Sequence, residues 1–154
     1  MCIRDSFPEV RLKKFMEMRG ADGGPWRRIC ALPALWVGLL YDEASLDAAW
    51  DLCRGWTAEE RDALRRDAGK HGLRAEIGGR SLREVAGEVV AISEAGLKAR
   101  AWPGAGGMIA DETHFLNALK EIVASGMTAS DELLARYEGD WGGDLKRIYS
   151  DYSY

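Results

Sequence analysis

The chain has 154 residues, 47% hydrophobic and 30% charged, with a formal net charge of −4. That length supports one domain with a real core, burying about 70% of the unfolded surface, and the mildly acidic balance argues against a nucleic-acid binder, which shows a basic patch. The cysteines are Cys2, Cys30 and Cys53, with no Cys-x-x-Cys pair; this argues against a disulfide scaffold and makes a reducing cytoplasm the expected compartment.

Met1–Ser6 resembles the translated end of a transposase adapter from sequencing libraries. Such a scar is set aside before fold reasoning. On that reading native sequence begins at Phe7, and more native chain is expected before it. These six residues hold no apolar stretch of the secretory type.

Residues 8–19 read as one β-strand. Arg11, Lys13, Phe15, Glu17 and Arg19 alternate with Leu12, Lys14, Met16 and Met18, the period of two that a strand imposes. One face is mostly charged and the other mostly apolar. A lone strand has no ladder partner, so the other members of its sheet are expected to be missing or to come from elsewhere, in keeping with a missing N-terminal part of the same chain. The glycines from Gly20 to Gly24, followed by Pro25, end the strand.

Residues 26–154 read as helical. The uncharged run Ile29–Tyr41 is shorter than the ~20 apolar residues of a membrane span, so a buried helix over Trp26–Tyr41, kinked or started at Pro33, is expected. Ser45–Arg54 forms a second helix. Thr57-Ala-Glu-Glu60 and Ser81-Leu-Arg-Glu84 match the capping box, in which a hydroxyl and a carboxylate satisfy each other's free backbone N–H groups. After the second box, Leu82, Val85, Val89 and Ile92 form an apolar stripe. Trp102–Ala110 reads as a loop. Asp111–Ser125 and Thr128–Glu138 are helices stopped by Gly126 and Gly139, and the tail from Asp144 adds a last turn.

Glu17-Met18-Arg19 is the sharpest chemical feature. Residues i and i+2 of a strand point the same way, ~6.5–7 Å apart. A carboxylate so placed can hold magnesium, which takes oxygen ligands at ~2.1 Å, and the guanidinium can grip a phosphoryl group beside it. Phosphoryl transfer needs that pairing, because its catalysis is mostly positioning and charge stabilisation. The same pattern also fits a solvated face in a small helical interaction module. His71 and His114 lack a second ligand at zinc spacing. Gly20–Gly24 lacks the Gly-Lys-Ser/Thr ending of a P-loop.

The stretch Phe7–Asp42, which includes Pro8-Glu-Val-Arg-Leu-Lys-Lys-Phe-Met-Glu-Met-Arg19 and Gly23-Gly-Pro-Trp-Arg-Arg-Ile-Cys30, resembles the plant-type glutamate–cysteine ligases of plants and proteobacteria. Asp47–Glu60, Asp111–Val123, Glu132–Tyr137 and Trp141-Gly-Gly143 extend the likeness over most of residues 7–154. Gly69–Gly79, Trp102–Ala110 and the last ten residues depart from it.

The resemblance implies an α+β parent of the glutamine synthetase-like superfamily, of which residues 7–154 are the C-terminal part of the catalytic domain. It implies ATP and Mg2+ as cofactors and glutamate and cysteine as substrates; the acidic balance and the short apolar run argue against a nucleic acid or a membrane as partner. The expected product is γ-glutamylcysteine, formed through a γ-glutamyl phosphate in the first step of glutathione biosynthesis. Glu17 would then be a metal ligand and Arg19 the catalytic contact to the phosphoryl group. Arg11, Lys13 and Arg27 would hold ATP or anionic substrate groups. The chain alone is expected to be inactive and prone to association. A related ATP-dependent ligase acting on another amine fits the same residues.

Overall fold

The computed structural model describes residues 10–21, 23–104 and 109–152. The reading of Met1–Ser6 as a scar falls outside them. In chain order the elements are β1 (Val10–Leu12), β2 (Met16–Met18), α1 (Trp26–Leu40), α2 (Glu43–Cys53), α3 (Ala58–His71), β3 (Glu76–Ile77), β4 (Arg80–Ser81), α4 (Leu82–Ala99), β5 (Trp102–Pro103), β6 (Ile109–Ala110), α5 (Asn117–Ser125), α6 (Ala129–Glu138) and α7 (Arg147–Asp151). Among the described residues the architecture is mostly helical, with three antiparallel pairs of short strands.

α1 and α4 form the centre. α1 runs through Pro33 without stopping there. The core gathers Ala34 of α1, Val90 and Leu97 of α4, and Leu116 from the 3-10 turn before α5, with Leu35, Val37, Leu119 and Val123 packed around them. Polar atoms at the crossing are satisfied: the Ser93 hydroxyl donates to the Leu35 carbonyl at 3.0 Å, and that of Ser45 to the Ile92 carbonyl at 3.3 Å. α1 and α2 meet at a bend of 94°. Asp42, one residue before α2, accepts from the Ser45 amide and so starts that helix earlier than Ser45.

Both anticipated capping boxes form, Thr57 with Glu60 and Ser81 with Glu84. A third joins Thr128 and Asp131 at the start of α6. Gly126 ends α5 and Gly139 ends α6.

Three expectations are corrected. The strand over residues 8–19 is not one strand: Lys13–Phe15 turn the chain, and β1 pairs with β2 in the register Val10 to Met18, Arg11 to Glu17 and Leu12 to Met16. The segment is therefore its own ladder partner. Nor is everything after residue 26 helical. β3 and β4 form a second hairpin whose turn, Gly78-Gly79, has φ of 57° and 74°, the left-handed pair that a tight two-residue hairpin needs. The expected Trp102–Ala110 loop is closed at its base by β5 and β6.

Candidate functional site

The first hairpin carries four of the five residues singled out by sequence or lies beside them. Arg11 and Glu17 are cross-strand partners, so their side chains leave the same face. Arg11 Nε donates to Glu17 Oε2 at 2.6 Å, and Lys13 Nζ lies 3.8 Å from the same oxygen. Arg19 sits just past β2, exposed to solvent. The Arg11 hydrogen bond is the chief reason that the Glu17 carboxyl is held below the usual glutamate value; the charges of Arg11, Lys13 and Arg19 act in the same direction. Three cations thus surround one carboxylate.

That arrangement bears on a metal. A magnesium ion wants several oxygen donors and an anionic surrounding. Among the described residues no three His, Cys, Asp or Glu side chains gather as a metal group. Glu17 brings a single carboxylate whose Oε2 is already shared by two cations. The donor set of the described residues does not by itself fit Mg2+. The hairpin's charged face fits an anion instead.

Arg27 lies elsewhere, in the first turn of α1. Gly23-Gly24-Pro25 leads into this helix, and its first turn holds two arginines and no acid. Cations are unfavourable at a helix N-terminus. Glutamates from two other helices offset them: Arg27 Nη2 meets Glu121 Oε2 of α5 at 2.5 Å, and Arg28 Nη2 meets Glu132 Oε2 of α6 at 3.3 Å. Beside these pairs is a cavity of about 350 Å3 that Pro25, Arg28, Ser125 and Glu132 help to line. On the other side of Arg27 and Glu121 a second cavity, of about 380 Å3, is lined by Trp26, Cys30, His114 and Phe115. Neither takes a residue from the hairpin. The structure therefore gathers Arg11, Lys13, Glu17 and Arg19 in one place and puts Arg27 in another. The sequence carries no sign of Glu121 and Glu132 as the partners of Arg27 and Arg28; 94 residues separate Arg27 from Glu121, and no local spacing signals such a pair. Cys30 and Cys53 are both free thiols.

The charged face of the hairpin is suited to holding an anionic group, and comparison with known proteins places the chain in a ligase family. Residues 3–151 match the model of the family described as glutamate-cysteine ligase family 2 (GCS2), and the chain belongs to that family. It is 48% identical over 148 residues to the chloroplastic glutamate–cysteine ligase of Solanum lycopersicum, covering 96% of this chain and 27% of that protein. The chloroplastic glutamate–cysteine ligases of Nicotiana tabacum and Arabidopsis thaliana are each 46% identical over the same extents. The chain thus spans about a quarter of the length of the curated relatives it matches. Their names overturn the cytoplasmic expectation: these relatives are chloroplastic proteins. Cysteine usage reports a reducing environment, and that chemistry does not single out the cytoplasm.

Proposed function

We propose that this chain is the C-terminal part of a glutamate–cysteine ligase and supplies that enzyme with a cationic hairpin. The match of residues 3–151 to the ligase family is the observation that carries this reading. In the proposed reaction a γ-carboxylate oxygen of glutamate attacks the terminal phosphorus of ATP, and ADP leaves. The amine of cysteine then attacks the acyl carbon of γ-glutamyl phosphate. The C–N bond forms, the C–O bond to phosphate breaks, and the amine gives up a proton.

The residues of this chain contribute charge and position. Arg19, exposed beside Glu17, is assigned to the transferring phosphoryl group. Arg11 and Lys13 hold anionic substrate groups, and Glu17 holds these two cations in place between turnovers. A guanidinium matches phosphoryl oxygens in two-pronged geometry, and losing one such contact to developing charge typically costs ~10²–10³ in rate. Mg2+ is implied by ATP chemistry of this kind and neutralises phosphate charge when bound; its carboxylates must come largely from polypeptide other than the described residues. Arg27, closed onto Glu121, holds α1 against α5 in this reading.

The closed Arg11–Glu17 pair also suits a helical interaction module with no catalysis. One experiment separates the two. Residues 7–152 replace the matching quarter of the Solanum lycopersicum enzyme, and formation of ADP and γ-glutamylcysteine is followed. An active chimera whose kcat falls ~10²-fold or more in Arg19→Ala, with partial recovery in Arg19→Lys, supports the ligase reading. An active chimera indifferent to Arg19→Ala removes that residue from the reaction. Other amine acceptors tested on the same chimera decide whether cysteine is its substrate.

A further inference from the structure

α1 carries no charged residue from Ile29 to Leu40. A surface helix has one apolar stripe, whereas a helix apolar all round belongs inside a core. Half of that condition is met. Ala31, Ala34, Gly38 and Leu39 are buried on the inward side of α1. The far side is open: Trp26 is 76% exposed, Ile29 49% and Leu32 36%. α2 adds Leu46 and Trp50, one turn apart and both exposed.

The first hairpin repeats the pattern. Its charged face holds Arg11 and Glu17. Side chains alternate along a strand, so Leu12 and Met16, which are directly opposed, share the other face, and both are exposed. Single exposed apolar side chains are ordinary, whereas several on one helix face and on one hairpin face mark an interaction surface.

We propose that the outer face of α1, together with the apolar face of the β1–β2 hairpin, is the seat of the remaining polypeptide of a ligase chain of this family. The occupant's identity rests on the ligase reading; the openness of the seat does not. The length available argues for that occupant. The matched part makes up 27% of the Solanum lycopersicum relative, so nearly three quarters of such a chain is available to cover these faces. The character of the seat agrees: permanent interfaces are apolar, like a core cut in two, and the exposed side chains of α1 between Ile29 and Leu40 are uncharged.

Hydroxyl-radical footprinting read by mass spectrometry tests this on two molecules, the 154-residue chain and the full-length chimera with the Solanum lycopersicum enzyme. Trp26 and Met16 should be modified at least about tenfold more slowly in the chimera. Trp26→Lys and Leu32→Lys should leave the Tm of the 154-residue chain unchanged and lower that of the chimera by several degrees. Equal labelling of Trp26 in a folded chimera overturns the proposal even if that chimera is an active ligase. A protected Trp26 in an inactive chimera upholds the seat and counts against the ligase reading instead. Should the chimera not fold, sedimentation of the 154-residue chain decides: a monomer with Trp26 labelled supports the seat, and a dimer with Trp26 protected assigns it to a second copy and overturns the proposal.

Discussion

Gly38 of α1 and Gly96 of α4 face each other where the two helices cross. A Cβ on Gly96 would sit 1.9 Å from the Gly38 carbonyl oxygen, and one on Gly38 would sit 2.2 Å from the Ser93 carbonyl oxygen. Both clashes are with backbone, so no side chain can swing away. The central crossing of the molecule therefore depends on two missing methyl groups.

Gly96→Ala should accordingly destabilise the chain although alanine is the better helix former by about 1 kcal/mol. The helices must separate to admit the methyl, which opens the contacts around Ala34 and Leu97. A loss of about 3 kcal/mol, at the upper end for overpacking, is expected from denaturant unfolding. Gly69→Ala in α3, where a Cβ would meet nothing within 4 Å, should be neutral or stabilising and serves as the control. Equal effects at the two glycines would remove the close approach from the account.

Acid should loosen the helical body before it dissolves the helices. Glu94 of α4 lies 2.7 Å from Lys98 and 2.7 Å from Lys120 of α5. The hydrogen bonds from Lys120 and then Lys98 hold its carboxyl below the usual value of 4.5. A carboxylate depressed in the folded state stabilises fully above its unfolded value and loses that contribution as pH falls through the folded value. Asp131, held low chiefly by the Thr128 hydroxyl, adds to the effect at the start of α6. Tm should thus hold level from neutral pH down to about 4.5 and fall below it. Glu94→Gln should flatten that fall. A Tm profile unchanged by this substitution would mean that the α4–α5 bridge contributes nothing.

What the sequence made legible was local. Thr57 and Glu60, or Ser81 and Glu84, sit three residues apart and announce their helices in any context. The turn at Lys13–Phe15 was invisible because it has no Gly, Asn or Pro, and the alternation of charged and apolar residues runs straight through it. Three turn residues preserve that alternation, so Arg11 and Glu17 do share a face, across two strands instead of along one. The β3–β4 hairpin did carry a signal, the Gly78-Gly79 pair between Ile77 and Arg80. Arg27–Glu121 and Arg28–Glu132 carried none, since only the packing of α1 on α5 and α6 creates them.

The 154-residue chain by itself should bind divalent cations weakly, and not through Glu17. Placing a dication beside that carboxylate means displacing Arg11 and Lys13 from Oε2 and facing Arg19 as well. Titration with Mn2+, read as paramagnetic broadening of backbone amide signals, should leave residues 10–19 no more affected than the rest of the chain. Glu17→Gln should not alter the apparent Kd. Selective broadening around Glu17 at micromolar Mn2+, abolished by Glu17→Gln, would restore the carboxylate as a self-sufficient metal ligand.

Arg19 and Arg27 should separate cleanly when each is changed to alanine in the full-length chimera. Arg27 is held by Glu121 across two helices, with both side chains more than half exposed. Exposed pairs of this kind add little stability, so Arg27→Ala should lower Tm by no more than about 3 °C and leave kcat within about twofold. On the proposed assignment Arg19 touches the phosphoryl group only as the reaction proceeds, so its loss should lower kcat and kcat/KM together, the signature of an interaction made in the transition state, with Tm unmoved. The Arg27 cavity has the size of a small-ligand site, and the assignment can fail there. If Arg27→Ala raises the KM for ATP or glutamate tenfold while Tm holds, the cleft between α1, α5 and α6 is a substrate pocket, and the hairpin is not the only face this chain turns to the reaction.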